Sequence, residues 1–297
     1  MQSHLGETAA LITAFCWTFN GLLFEAAGKK VGSVSVNYLR LFIAFALLSI
    51  TTYITRGIAL PIDATPHNWF WLLMSGLVGF VLGDIFLFQA YVEIGSRISL
   101  LIMSATPPIT AVLGFLIMGE RISPLGLFGM FTTLGGISLV ILSKNPLKNK
   151  VQLNRPRKSV IFACIGALGQ ALGLILSKLG MGSYNAWAAT QIRLIAAFIA
   201  FTVIITLRAK WPEIRAAFNN KKAIRQIALG AIFGPFIGVS FSLLAVQHTE
   251  TGIVSSITSI SPVLIIPFSI LMFKEKVLLK EIIGAFISIV GVILLFL

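Results

Sequence analysis

Ser104–Gly136 reads SATPPITAVLGFLIMGERISPLGLFGMFTTLGG, and Ser259–Gly291 reads SISPVLIIPFSILMFKEKVLLKEIIGAFISIVG. A shift of 155 residues lays the first on the second without a gap, placing Ser104 on Ser259, Pro107 on Pro262, Glu120 on Glu275, Gly129 on Gly284 and Gly136 on Gly291. The same register runs backward through Ala90 and Ala245, Gly83 and Gly238, and Gly79 and Gly234, and a shift of 153 puts Arg40 on Arg193. Apolar helices match by chance at Leu and Ile, but a shared frame of Gly, Pro and Glu does not arise that way. The chain is therefore expected to be a repeat, with residues 1–143 as the first half, 144–158 as a basic connection and 159–297 as the second half.

Outward from these stretches the rest of the chain is equally apolar. Of 297 residues, 57% are hydrophobic and 11% charged, and the mean hydropathy is +0.95, which excludes an ordinary soluble domain. Ten stretches are long and apolar enough to cross a bilayer, where about 20 residues suffice for a helix. Five lie in each half: Thr8–Ala27, Val34–Thr55, Asn68–Val92, Ile98–Met118 and Pro124–Leu142, then Val160–Ser177, Ala186–Leu207, Ile224–Val246, Gly252–Phe273 and Leu279–Leu297. Helices satisfy their own backbone groups in lipid, so the expected fold is an all-α integral membrane protein of ten transmembrane helices. The N-terminal stretch has no basic leader or small-residue cleavage site, and is expected to stay as a span. An odd number of spans per half makes the second half enter from the opposite face, as two inverted five-helix repeats with a binding site near the midplane between them.

The net charge of +13 would suggest a nucleic-acid partner in a soluble protein. Here 18 of the 23 Lys and Arg fall in odd-numbered connections, only Arg56, Arg121 and Lys178 in even-numbered ones, and Arg40 and Arg193 inside spans. The excess is thus a topology signal rather than a nucleic-acid footprint: odd connections cytoplasmic, both termini outside, in a multi-pass protein of the cell membrane. The segment around Trp211 and Pro212 is either an interfacial amphipathic piece or a plain loop. Cys16 and Cys164 lie in apolar stretches and form neither a disulfide framework nor a zinc site. They are packing residues.

On these residues the chain resembles the ten-helix, EamA-type branch of the drug/metabolite transporter superfamily. The resemblance rests on the two stretches quoted above, on Cys16-Trp17 followed by Arg40, and on Arg193 in the second half. It implies, in each half, a Pro-containing fourth helix, a Gly-Glu-type corner and a Gly-bearing fifth helix, and it implies transport of amino acids, other metabolites or phosphorylated compounds. Two departures stand out. The second corner reads Lys274-Glu275 without Gly, and the loop charges place the termini outside, whereas ten-helix relatives are usually drawn with both inside.

Candidate working residues are few. Asp84 lies more than two turns from either end of its span, where an ionised carboxylate requires a partner or a water-filled cavity. The 155 shift places it on Val239, so packing symmetry does not require it. It is either a proton-coupling or counter-charge group, or a paired structural acid. Arg40 and Arg193 either hold helix-end carbonyls or capture a substrate carboxylate or phosphate through a bidentate fork. Trp17, Asn20, Gln170 and Gln191 suit a pocket that orients a small molecule, or interhelical hydrogen bonding. Pro107 and Pro262, placed mid-span, are expected to bend their helices as hinges or fixed kinks. Glu120 and Glu275 are read as charge locks at corners.

The expected function is secondary active transport of a small polar or zwitterionic metabolite such as an amino acid, as exporter or exchanger, by alternating access. No Walker-type phosphate loop is present for ATP-driven pumping, so the partners expected are a small-molecule substrate, the lipid bilayer and a coupling proton or counter-substrate. No cofactor, metal, nucleic acid or obligatory oligomer is expected. Two other classes compete: a channel or scaffold, against which the asymmetric polar groups weigh, and a membrane enzyme acting on lipid headgroups. The latter would need clustered acids or histidines, whereas His4, His67 and His248 are scattered at edges.

Overall fold

The structure, a computed structural model, describes residues 4–94, 99, 102–103, 105–143, 157–261, 263–264 and 278–295. Among these every regular element is a helix: α1 (Leu5–Val31), α2 (Ser33–Arg56), α3 (Pro66–Ile94), α4 (Thr106–Met118), α5 (Pro124–Ser143), α6 (Arg157–Met181), α7 (Ala186–Leu207), α8 (Trp211–Asn219), α9 (Lys221–His248), α10 (Thr251–Thr258) and α11 (Leu279–Leu295). Six of them, α1, α2, α3, α6, α7 and α9, are long and apolar enough to cross a membrane, and α4, α5 and α11 contain shorter apolar helices. Each of the ten expected stretches holds described helix, but the fourth is interrupted. Ser99, Ile102 and Met103 are helical, a turn follows at Ala105, and α4 starts at Thr106.

Local chemistry sets the boundaries. Gly32, at a φ of 80°, turns the chain between α1 and α2 in a conformation that a side chain would strain. Thr65 and Asn68 form a reciprocal capping box at the start of α3, with Pro66 at its first position. Asn185 caps α7 by accepting from the N–H groups of Trp187 and Ala188. Gly119 ends α4 in the left-handed region at a φ of 68° and points the following Glu120 back toward the bundle. Around Trp211 the structure decides for the amphipathic alternative: α8 is a helix whose Ile214 and Ala217 are buried.

The molecule is arranged for lipid. Large apolar side chains such as Phe42, Ile54, Phe70, Leu116, Phe131, Leu207 and Phe286 face outward, while Thr13, Asn37, Arg40, Asp84, Thr190 and Arg193 are buried. That distribution suits a multi-pass membrane protein, whose polar groups must satisfy one another inside.

Two seams of glycine carry the packing. Along α5 and α11, Gly129 lies against the carbonyl of Gly291 and Gly136 against that of Gly284, with the Ser288 hydroxyl donating to the Thr133 carbonyl between them. The two helices therefore run antiparallel, and each glycine meets the repeat-equivalent of the other. Along α3 and α6, Gly83 faces Gly169, Gly79 faces Gly173, and Ser75 hydrogen-bonds Ser177 at 2.7 Å. These small residues bring two backbones into contact, as small-xxx-small spacing does. The equivalent seam between α1 and α9 is filled instead by side chains, Asn20 against Gly234 and Trp17 against Gly238.

Midway along α3 and α9 the backbone widens into π-helical turns at Leu77–Gly83 and Ile232–Gly238. They coincide under the 155-residue shift. In α9 the turn contains Pro235, which has no N–H to offer the α-helical ladder. Pro107 and Pro108 occupy the first turn of α4, directly after the turn at Ala105, where a missing N–H leaves no helical bond unmade. Pro262 and the Lys274-Glu275 corner lie outside the described residues.

Candidate functional site

The π turn of α3 delivers Phe80, and directly after it Asp84, to the centre of the bundle, where a cavity of about 120 Å³ lies between the two halves. Trp17, Asn20 and Gly21 from α1, Arg40 from α2, Gln170 from α6 and Arg193 from α7 reach the same cavity. Ser242 of α9 and Ser255 and Thr258 of α10 add a hydroxyl wall, continued by Ser259 and Ser261. Six of the seven side chains singled out as candidate binders thus converge. Gln191 does not. It is buried on another face of α7, donating to the Ser49 hydroxyl at 3.1 Å and to the Ala59 carbonyl at 2.8 Å, where it ties α7 to the end of α2.

Asp84 is fully engaged. Its Oδ2 pairs with Nη2 of Arg40, and its Oδ1 accepts from Nε2 of Gln170 at 2.7 Å. Arg40 in turn donates from Nε to Asn37 Oδ1 at 3.1 Å and lies over the Phe88 ring, 4.5 Å from its centroid. This is a satisfied buried ion pair, with each charge held by a partner and each partner held by a neighbour.

Arg193 is not held in that way. Its guanidinium lies 4.5 Å from the centroid of Phe80, whose other neighbour is Arg40 at 5.7 Å. Among the described residues no ion pair involves it and its Nε has no hydrogen-bond partner, although it is only 5% exposed. The 153 and 155 shifts give the reason. Where Arg40 has Asp84, Arg193 has Val239; where Arg40 has Asn37, Arg193 has Thr190, whose hydroxyl is spent on the Ala186 carbonyl. Two further lining residues carry buried oxygens with no partner among the described residues, Asn20 Oδ1 and Thr106 Oγ1.

Sequence reasoning missed Phe80, Tyr91, Pro235 and the hydroxyl wall. A usable signal was present for the last, since TGIVSSITSIS is dense in hydroxyls for a span. Gln191 was separable too: two residues from Arg193 on an α-helix, it faces nearly the opposite way.

The sequence model described as the EamA-like transporter family matches residues 4–142 and again residues 157–297. The chain belongs to the EamA-like transporter family. It is also 22% identical, over 97% of this chain and 96% of the other, to an uncharacterized transporter of Archaeoglobus fulgidus. A solved crystal structure shares the fold with a TM-score of 0.72 over 97% of this chain and 96% of that one, at 14% identity. An EamA-family membership points to transport of a small molecule across a lipid bilayer rather than to an enzyme.

Proposed function

We propose that this EamA-family protein is a secondary active transporter, exporter or exchanger, that moves a small polar or zwitterionic metabolite of amino-acid size by alternating access between two inverted five-helix repeats. The observation that carries the reading is the central cavity between the halves, lined by Arg40, Asp84, Arg193, Asn20 and Gln170 and by a run of hydroxyls. Charged, amide and hydroxyl groups converging on one partly apolar cavity suit the orientation of a small polar molecule. The volume of about 120 Å³ is close to that of a cavity that admits benzene, roughly 150 Å³, so the fit is to a molecule of about six or seven heavy atoms.

The inverted arrangement, and with it ten spans, is supported by the separate family matches to the two halves, the coincident π turns and the reciprocal antiparallel glycines of α5 and α11. Both termini outside a cell membrane remains the reading of the loop charges. Coupling to a proton or a counter-substrate completes the proposal. Saturable counterflow in proteoliposomes tests it. Exchange that saturates with substrate is the expected result, whereas linear flux would assign a channel and chemical turnover an enzyme.

Alternating access requires one face to be shut while the other is open. Glu120, at the corner after α4, pairs with Lys178 of α6 at 2.7 Å and accepts from the N–H and hydroxyl of Thr251 at 3.0 and 2.6 Å. Lys178 also donates to the Thr249 carbonyl at 2.8 Å. This lock joins both halves at the face of the even-numbered connections, and we read it as the closed gate of that face. Glu120→Gln keeps an acceptor for Thr251 but loses the ion pair, so it is expected to open this gate about tenfold more often. The check is labelling of a Ser242→Cys reporter by an impermeant thiol reagent from that face. Unchanged labelling would make the lock a fixed structural tie.

A further inference from the structure

We infer that the transported substrate is a small monoanion, and that its oxyanion group occupies, beside Arg193, the place that the Asp84 carboxylate occupies beside Arg40. The inference rests on the transporter reading above and narrows it. Arg40 and Arg193 are repeat-equivalents that both lie over the same ring, Phe80, yet among the described residues only Arg40 forms an ion pair with an acid. The chain supplies Val239 and Thr190 where the symmetric partners of Arg193 would be an acid and an amide acceptor. Val239 lines the cavity, so the missing carboxylate corresponds to open space rather than to packed core.

Charge decides the class. Among the described residues, those lining the cavity that carry formal charge are Arg40, Asp84 and Arg193, leaving one uncompensated positive charge in a buried site. A monoanion neutralises it and completes the guanidinium's hydrogen bonds. A zwitterion brings an ammonium to a site whose acid already has both oxygens engaged by Arg40 and Gln170. An amine would raise the charge further. Ser242, Ser255 and Thr258 line the same cavity, and their hydroxyls suit a hydroxyl on the anion.

The experiment uses the purified full-length transporter and isosteric pairs: L-lactate against L-alanine, and glycerate against L-serine, with inorganic phosphate as a further arm. Each pair exchanges only a hydroxyl for an ammonium. Saturable thermal stabilisation by lactate or glycerate, at least about tenfold tighter than by the matched amino acid, is the expected result. Stabilisation by phosphate alone would keep an oxyanion beside Arg193 but overturn the monoanion class, since a phosphoryl group carries close to two charges near neutral pH. Arg193→Gln is expected to weaken oxyanion binding by about 10- to 100-fold, while the unliganded protein melts at the same temperature or higher, because an uncompensated buried charge has been removed. Val239→Asp should go further, supplying the acid internally: the unliganded melting temperature rises and oxyanion binding is lost. Equal or tighter binding of the amino acids, unchanged binding in Arg193→Gln, or no stabilisation by any of the five probes overturns the inference. Saturable counterflow of alanine or serine without that of lactate or glycerate would overturn it while leaving the transporter reading standing. Linear flux would remove the transporter reading itself.

Discussion

Asp84→Ala should lower the stability of the protein by about 3–5 kcal/mol, the usual consequence of removing one partner from a buried ion pair. The cause is what it leaves behind. Arg40 would remain at 3% exposure among Phe24, Phe80 and Phe88, with Asn37 as its remaining described hydrogen-bond partner, and the Gln170 amide would lose its acceptor. Contact with aromatic faces returns only about 1–2 kcal/mol. Thermal unfolding in detergent checks the loss, and the double variant Asp84→Leu with Arg40→Met separates its causes. Apolar groups of similar volume need no partners, so the double variant should recover most of the stability. Wild-type stability in Asp84→Ala would show that Arg40 does not depend on this acid. The opposite sign expected for Arg193→Gln makes the pair of arginines an internal control: equivalent positions, one whose partner is part of the fold and one without.

The second large effect separates two neighbours in α5. Gly136→Ala should destabilise the protein by about 1–3 kcal/mol or more and loosen α5 from α11, whereas Gly135→Ala should be neutral or stabilising. A Cβ on Gly136 would meet the Gly284 carbonyl oxygen and the Ser288 nitrogen at 2.5 Å, both backbone atoms of the facing helix that cannot swing aside. A Cβ on Gly135 would meet nothing within 4 Å, and alanine relieves the entropic cost of glycine in a helix, about 0.5–1 kcal/mol. Melting temperatures of the two variants, measured side by side, test this. Equal behaviour would mean that the seam between α5 and α11 yields more readily than backbone contact implies.

Much of the site was legible, for a reason that differs from residue to residue. Asp84 stood out because charge is costly inside a membrane and because its repeat partner is Val239, so symmetry could not explain it. Arg40 and Arg193 stood out for their equivalence. Their contrast was not legible, since the pairing of Asp84 with both Arg40 and Gln170 joins three helices whose relative rotation no single-helix period records. Gln191 shares the polarity of the cavity residues, but about 200° of helix rotation separates it from Arg193 and turns it away from the cavity. Pro107 stood out as a mid-span proline, but an apolar run does not reveal where the break falls, and the structure puts the turn at Ala105 with Pro107 in the first turn of α4.

The sequence by itself determined what depends on composition and repetition: an all-helical membrane chain, its two halves, the alternation of loop charge, and a short roster of polar groups inside spans. These follow from the cost of exposing backbone and charge to hydrocarbon, which acts on every residue locally. The tertiary structure decided which groups meet. It set α3 on α6 through glycines and α1 on α9 through Trp17 and Asn20, left the cavity between the two halves, and paired Arg40 with a carboxylate while leaving Arg193 without an ion pair among the described residues. Such pairings arise from the rotation and approach of helices far apart in the chain, a property of packing that no one segment carries.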